Sequence, residues 1–167
     1  MGFSEREQPR GTPSREQGTA RDAGRGTAAD NARLGRKLYE ELWNGRDFDG
    51  MVRCASEDVE ATMVPWGATK RGRKGYREFC EGWATAFPDG RVEIKRITAN
   101  DEGVVVELVG RGTHTGPFTG PAGTIPATGR KAELSLCDVL EIEDGAVRRV
   151  RSYFDAATMM RQLGLTS

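Results

Sequence analysis

The chain has 167 residues, and its 25 basic side chains balance its 25 acidic ones. This length allows one domain with a sizeable core and hardly two. The zero net charge argues against nucleic acid as a partner, and no apolar run approaches the roughly 18 residues of a membrane span.

Cysteine and histidine usage limits the compartment and the kind of site. Cys54, Cys80 and Cys137 are scattered without metal-ligand spacing, and His114 is the single histidine. An odd, unclustered set of cysteines is typical of a reduced protein, and the N-terminus lacks the apolar core of a secretory signal. We therefore expect a cytoplasmic protein with no metal site built on several histidines.

Residues 1–28 consist largely of Gly, Arg, Glu, Thr, Ser and Pro, with almost no large apolar side chains. Such a segment cannot bury enough surface to offset its ordering entropy. The composition predicts a disordered N-terminal segment over residues 1–28 and a single domain over residues 29–167.

Two amphipathic helices and a short one are predicted in the first half of the domain. From Ala29, the spacing of Leu34, Leu38 and Leu42 indicates a helix that ends at the Asn-Gly pair 44–45. A short helix is predicted next, with Phe48, Met51 and Val52 facing inward. The second long helix spans residues 74–87, and its apolar face carries Tyr76, Phe79, Trp83 and Phe87.

The second half of the domain is dominated by period-two alternation, which indicates half-buried strands. One earlier strand also fits, over residues 58–66, with Pro65 limiting its end. The later predicted strands are 92–97, 104–114, 132–143 and 147–154, and a short helix is predicted from Asp155. Residues 115–131 form a long connection rich in Gly, Pro and Thr, which we interpret as a functional lid.

The strand over residues 132–143 carries an aspartate on its apolar face. In the stretch LSLCDVLEI, Asp138 shares that face with Leu136 and Leu140. A two-residue turn at 144–145 would mix the faces of the following strand. A three-residue turn over 143–145 would keep Val150, Ser152 and Phe154 on the face of Asp138, so we prefer that register.

Helices that precede a mainly antiparallel sheet predict the α+β class. The sheet has one apolar face, which the helices must cover. We expect a curved sheet wrapped around the N-terminal helices to form a cone with an internal pocket.

Five phrases occur in an order that resembles one known family: ELWNGRDFDGMV, GYREFCEGWATAFPD, GTHTGPF, DVLEIEDGAV and MMRQLGL. The resemblance is to the SnoaL-like polyketide cyclases and covers about residues 32–165. It implies the cone fold shared with nuclear transport factor 2 and limonene epoxide hydrolase. It also implies a homodimer or higher oligomer, no metal or organic cofactor, and acid–base ring closure as the founding activity.

The resemblance implies a pocket face whose chemistry is rearranged in this chain. The position implied for the catalytic aspartate of the last strand holds Ser152, and the position of a pocket histidine holds Asp138. The positions of a pocket glutamine and a pocket asparagine hold Leu136 and Ala61.

Asp138 and His114 are the predicted catalytic residues. A carboxyl group among leucines has a raised pKa, which suits acid–base work near neutral pH. The alternative is a structural aspartate bonded to an arginine or a hydroxyl. His114 lies on the apolar side of its strand near the long loop. It is either a proton carrier at the pocket rim, the partner of Asp138, or a residue that fastens the loop through backbone hydrogen bonds.

The predicted pocket is completed by residues from four predicted strands: Ala61, Met63, Trp66, Leu108, Leu136, Ser152 and Phe154. The preferred function is a cofactor-free cyclase or isomerase of polyketide-type biosynthesis that takes an apolar, oxygenated small molecule. Neither nucleic acid nor membrane is expected as a partner. An epoxide hydrolase-like enzyme and a non-catalytic small-molecule-binding protein remain as alternatives.

Overall fold

The computed structural model describes residues 26–120 and 123–166. The predicted disordered segment therefore lies outside the described residues, except for its last three positions. Thr27 caps the first helix in a reciprocal capping box with Asp30, and the helix begins at Ala28. The ordered domain thus includes Thr27 and Ala28, which the composition had assigned to the segment.

Four α-helices are present in the described residues, and the first continues directly into a π-helical segment. They are α1 (Ala28–Arg36), α2 (Phe48–Arg53), α3 (Gly72–Ala86) and α4 (Ala156–Gln162). The π-helical segment spans Lys37–Trp43, and a 3-10 turn spans Val64–Trp66. The predicted helices are all confirmed, including the start of α4 after Asp155, whose side chain accepts from the backbone of Thr158.

Six strands form one sheet in the order β2-β1-β8-β7-β4-β3, and two short strands pair with each other. The sheet strands are β1 (Ala55–Met63), β2 (Ala68–Arg71), β3 (Arg91–Asn100), β4 (Gly103–Thr113), β7 (Lys131–Glu143) and β8 (Ala146–Phe154). All neighbours are antiparallel except β1 and β8. The α+β class with a mainly antiparallel sheet is therefore confirmed.

The long connection after β4 is partly regular. It contains the two-stranded pair β5 (Phe118–Gly120) and β6 (Gly123–Ile125). Phe118 is only 2% exposed, so this segment packs into the domain. Its role as a lid stays a prediction.

The predicted three-residue turn of the last hairpin is wrong, but the predicted placement of Ser152 on the same face as Asp138 is correct. Asp144 and Gly145 both have positive φ, at 50° and 74°, and form a two-residue turn between Glu143 and Ala146. A β-bulge follows, because Glu141 pairs with Arg149 while Ile142 pairs with Val147. The extra residue in β8 restores the register that places Ser152 opposite Asp138.

The core divides into two clusters along the cone. The larger lies between the sheet and the helices and includes Leu38, Tyr39, Leu42, Met51, Val59, Tyr76, Val106, Leu140 and Val150. The smaller closes the other end and includes Met63, Ala86, Phe87, Phe118, Leu134, Met159 and Leu163. The space between helix α3 and strands β4 and β7 is where the pocket described next lies.

Candidate active site

Asp138 lies in the middle of β7, between Val106 on β4 and Ser152 on β8. It is 6% exposed, so the alternation placed it correctly on the inner face. The Tyr39 hydroxyl donates to Oδ2 over 2.6 Å. The second carboxyl oxygen, Oδ1, is buried and has no hydrogen-bond partner among the described residues.

The surroundings of Asp138 change its acidity. Burial raises the pKa of Asp138 above its usual value, while the Ser152 and Tyr39 hydroxyls act in the opposite direction. Burial and the charge of Asp138 raise the pKa of Tyr39, so this phenol keeps its proton and remains a donor. The pair is therefore a carboxyl group that can exchange a proton, held in place by a hydroxyl that does not.

A cavity of about 100 Å³ opens beside Asp138 and is lined mainly by apolar and aromatic side chains. Its lining includes Tyr39, Trp43, Met51, Tyr76, Phe79, Cys80, Trp83, Val92, Leu108, Leu136, Asp138, Val150 and Ser152. At the other end the exposed residues Arg91 and Arg111 border it. The cavity thus runs from a buried carboxyl group to a charged rim.

Two lining residues keep a buried polar atom without a partner among the described residues: Oδ1 of Asp138 and Nε1 of Trp43. One is a hydrogen-bond acceptor and the other a donor. A small molecule that carries both a donor and an acceptor could satisfy them.

The predicted pocket residues separate into two groups. Leu108, Leu136 and Ser152 line the cavity together with Asp138. Four others do not: Ala61 lies in the larger core cluster, and Met63, Trp66 and Phe154 belong to the smaller one.

The aromatic ring of Trp83 explains why some predicted pocket residues lie outside the cavity. Trp83 lines the cavity, and Trp66 and Phe154 pack behind it with ring centroids at 6.5 and 5.3 Å. Alternation placed Phe154 on the inner face of the sheet, whereas Trp66 lies in the 3-10 turn Val64–Trp66 beyond the end of β1. It could not show that a helix side chain stands between them and the cavity.

His114 is fully buried but does not lie beside Asp138. It follows Val106, the residue opposite Asp138, by eight positions, which is roughly 25 Å along an extended strand. Its Nδ1 accepts a hydrogen bond from the backbone of Thr128 at 3.3 Å and lies 3.1 Å from the hydroxyl of that residue. The structure therefore favours the alternative in which His114 fastens the returning end of the 115–131 connection.

We expect acid to loosen this attachment. Burial lowers the pKa of His114 below its usual 6.5, so the unfolded chain takes up the proton first and stability falls as the pH drops below about 6.5. His114→Asn offers a side-chain oxygen as acceptor and does not titrate. Melting temperatures measured from about pH 7 to about pH 5 should fall more steeply for the wild type than for this variant. Equal slopes would contradict the assignment.

Tyr39 is the important site residue that sequence reasoning missed. It lies next to Leu38 in the predicted apolar stripe of the first helix, so its spacing alone indicates packing in the core. In the structure it sits in the π-helical segment Lys37–Trp43, a type of local widening that is frequent at functional sites. The amino-acid pattern carries no signal for a π-helical turn, so only the coordinates reveal the pairing with Asp138.

A family model described as SnoaL-like polyketide cyclase matches residues 33–163. The chain belongs to the SnoaL-like polyketide cyclase family. The match includes the π-helical segment with Tyr39 and the strands that carry Asp138 and Ser152. No curated protein sequence matches the chain at a significant level.

Solved structures show the same fold as this SnoaL-like domain. A candidate SnoaL-like polyketide cyclase from Jannaschia sp. CCS1 is 20% identical, with a TM-score of 0.74 and coverage of 90% of this chain and 100% of its own. IdmH from Streptomyces antibioticus, a candidate polyketide cyclase, is 25% identical, with a TM-score of 0.66 and coverage of 80% and 98%. An epoxide hydrolase of the LEH-like type from M. tuberculosis is 20% identical, with a TM-score of 0.62 and coverage of 81% and 90%.

Neither a membrane-spanning helix nor a metal-binding cluster of side chains is present in the described residues. No helix within 26–120 and 123–166 is long and apolar enough to cross a membrane. Within the same ranges, no three His, Cys, Asp or Glu side chains come together as a metal site.

Proposed function

We propose that this SnoaL-like protein is a small-molecule cyclase or isomerase that uses Asp138 for cofactor-free proton transfer. The observation that supports it is the state of the Asp138 carboxyl group, which lines the buried part of an apolar cavity: one oxygen accepts a hydrogen bond from Tyr39, and the other has no hydrogen-bond partner within the described residues. A carboxyl group with a raised pKa works as a base when ionised and as an acid after it has taken up a proton.

Ring closure of a polyketide-type substrate needs only these two properties. The Asp138 carboxylate removes a proton from the carbon next to a ketone, and the resulting enolate carbon attacks a second carbonyl carbon. A carbon–carbon bond forms, and the carbonyl oxygen becomes an alkoxide. The protonated Asp138 returns its proton to that oxygen, so the protein ends in its initial state.

The apolar lining supports this chemistry in two ways. It excludes water from the carboxylate, which strengthens its interaction with the proton it removes. It also matches the hydrocarbon part of a polyketide-type molecule in chemical character, while Asp138, Ser152 and the indole N–H of Trp43 offer a few polar contacts.

The proposal can be tested without knowledge of the natural substrate. A linear diketone that closes to a β-hydroxy ketone, which then loses water to give a cyclohexenone, reports proton removal and ring formation by the absorbance of the enone. We expect catalysis by the wild type, with a rate that rises with pH through the raised pKa of Asp138 as the carboxylate forms. A rate no greater than that of buffer, for this and for longer diketones, would count against the proposal.

Tyr39→Phe should move this pH profile. The Tyr39 hydroxyl stabilises the ionised carboxylate, so its loss raises the pKa of Asp138 further and shifts the rising limb of the profile to higher pH. The control is Tyr153→Phe, which removes the same hydroxyl at a side chain that is 41% exposed. If both variants keep the wild-type profile, Tyr39 does not tune Asp138.

A second candidate function is non-catalytic binding of a small molecule. It is favoured by Ser152, which occupies the position where the family resemblance implies a catalytic aspartate. Tight binding of a ligand in the cavity, together with equal ring-closure rates for the wild type and an Asp138 variant, would support this candidate instead.

A further inference from the structure

The charged rim of the pocket leads into a second, polar cavity, here called the vestibule. The vestibule has a volume of about 530 Å³ and is lined by Asp89, Arg91, Arg111, Gly112, Thr113, Lys131, Ala132, Glu133 and Gln162. Four of these residues also line the pocket: Arg91, Arg111, Gly112 and Ala132. The apolar pocket that ends at Asp138 therefore continues, at its other end, into the polar vestibule with its cationic side chains.

The two arginines at the pocket rim, Arg91 and Arg111, differ in whether they form ion pairs. Arg111 binds two carboxylates, with Glu133 at 2.6 Å and Glu93 at 3.0 Å. Arg91 forms no ion pair within the described residues. The only hydrogen bond of its side chain there is a long one of 3.4 Å, from Nη1 to the carbonyl oxygen of Gly90. The charge of Arg91 is therefore available to a ligand at the pocket rim.

The two carboxylates nearest to Arg91 in the chain, Asp89 and Glu93, form no ion pair with it within the described residues. Asp89 accepts from the backbone N–H and the hydroxyl of Thr113, both over 2.7 Å. Lys131, the third cation that lines the vestibule, likewise forms no ion pair among residues 26–120 and 123–166. The vestibule thus holds more unpaired positive than unpaired negative charge.

A further guanidinium lies behind the rim. Nη2 of Arg46 donates to the carbonyl oxygens of Phe87 and Gly90, at 3.1 and 2.7 Å, which fixes the turn that precedes Arg91. Nη1 of Arg46 is buried without a partner in the described part of the chain. Burial and, to a lesser extent, the proximity of Arg91 lower the pKa of Arg46, while the Asp89 carboxylate raises it.

We propose that the substrate carries a carboxylate at one end of an apolar body, and that Arg91 binds this carboxylate at the pocket rim. The inference rests on the proposed function, because it names the substrate class of the same pocket. The opposite orientation is disfavoured, since a carboxylate at the buried end would face the Asp138 carboxyl group. Arg91 therefore determines which end of the molecule reaches Asp138.

The test uses a series of phenyl-substituted straight-chain carboxylates of increasing length, each paired with its primary amide. Binding is followed by the fluorescence of Trp43 and Trp83, which line the pocket. We expect the wild type to prefer the carboxylate over the amide by about tenfold, between the values typical of exposed and buried charged pairs. The preference should peak at one chain length, because the wall of the pocket fixes the distance to Arg91.

Arg91→Gln should abolish this preference and leave the affinity for the amides unchanged. The matched control is Arg96→Gln, since Arg96 is an exposed arginine on the same strand that lines neither cavity. Equal affinities for acid and amide in the wild type would overturn the proposal. A carboxylate preference that survives in Arg91→Gln, or that is lost equally in Arg96→Gln, would also overturn it.

Two assays of the wild type separate this inference from the proposed function. One measures ring closure of the neutral diketone, which carries no carboxylate for Arg91 to bind, and the other measures the preference for carboxylate over amide. A normal diketone rate with no carboxylate preference would refute the role of Arg91 alone. A carboxylate preference without any diketone turnover would refute the catalytic role of Asp138 and retain the binding site.

Discussion

Asp138→Asn should lower the rate of diketone ring closure by about 10²- to 10⁴-fold, the usual contribution of a general acid–base group. The amide keeps the shape of the side chain and can still accept a hydrogen bond from Tyr39 through its oxygen. It cannot take up and return a proton at neutral pH. The measurement is the initial rate at saturating diketone, at a pH on the plateau of the wild-type profile.

Stability measurements and a matched variant separate catalysis from folding. Asp138→Asn removes a buried ionisable group, so the free energy of unfolding should change little or rise. Asp144→Asn makes the same replacement in an exposed turn at positive φ, a conformation that asparagine tolerates well, and should leave the rate unchanged. If Asp138→Asn turned over the diketone normally, the proton would have to be moved by another group.

Phe118→Ala should lower the free energy of unfolding by about 3–5 kcal/mol, the range for removal of a buried aromatic ring. The Phe118 side chain is 2% exposed and packs between Trp66 and Trp83, with ring centroids at 5.3 and 4.8 Å. Denaturant unfolding of both proteins, with equal slopes, gives the difference directly.

The neighbouring Thr119 provides the control for this loss of packing. Thr119 is exposed on the same short strand, so Thr119→Ala should change stability by no more than about 0.5 kcal/mol. Because Trp83 also lines the pocket, Phe118→Ala should in addition weaken ligand binding there. A loss below about 1 kcal/mol would show that the loop is held mainly by its polar contacts through His114.

The sequence predicted the elements whose signal is local and periodic. The helix stripe of Leu34, Leu38 and Leu42 and the alternation around Asp138 both correspond to elements of the structure. The four-residue strand β2 was missed because Ala68–Arg71 has too few apolar residues to alternate. The parallel pairing of β1 with β8 joins segments far apart in the chain, and no local pattern encodes it.

The candidate site was predictable only as far as one face of the sheet. Alternation placed Asp138 and Ser152 on the inner face, and the register brings them directly opposite each other. The partner that holds the carboxyl group comes from a helix, and its position depends on how the helix packs over the sheet. That packing depends on non-local contacts, so Tyr39 could not be assigned from spacing, and His114 was expected too close to the pocket.

The β-bulge in the last hairpin has a consequence for how the chain can vary in length. The turn at Asp144–Gly145 alone would set β8 one residue out of phase, and the extra residue Arg148 brings Ser152 back to the inner face. If Arg148 were deleted, the bulge would disappear and Glu141 would still pair with Arg149, so Ser152 would remain opposite Asp138. The bulge therefore lets this hairpin lose one residue without moving the site, whereas the loss of a second residue would turn Tyr153 toward the cavity, since side chains alternate along a strand.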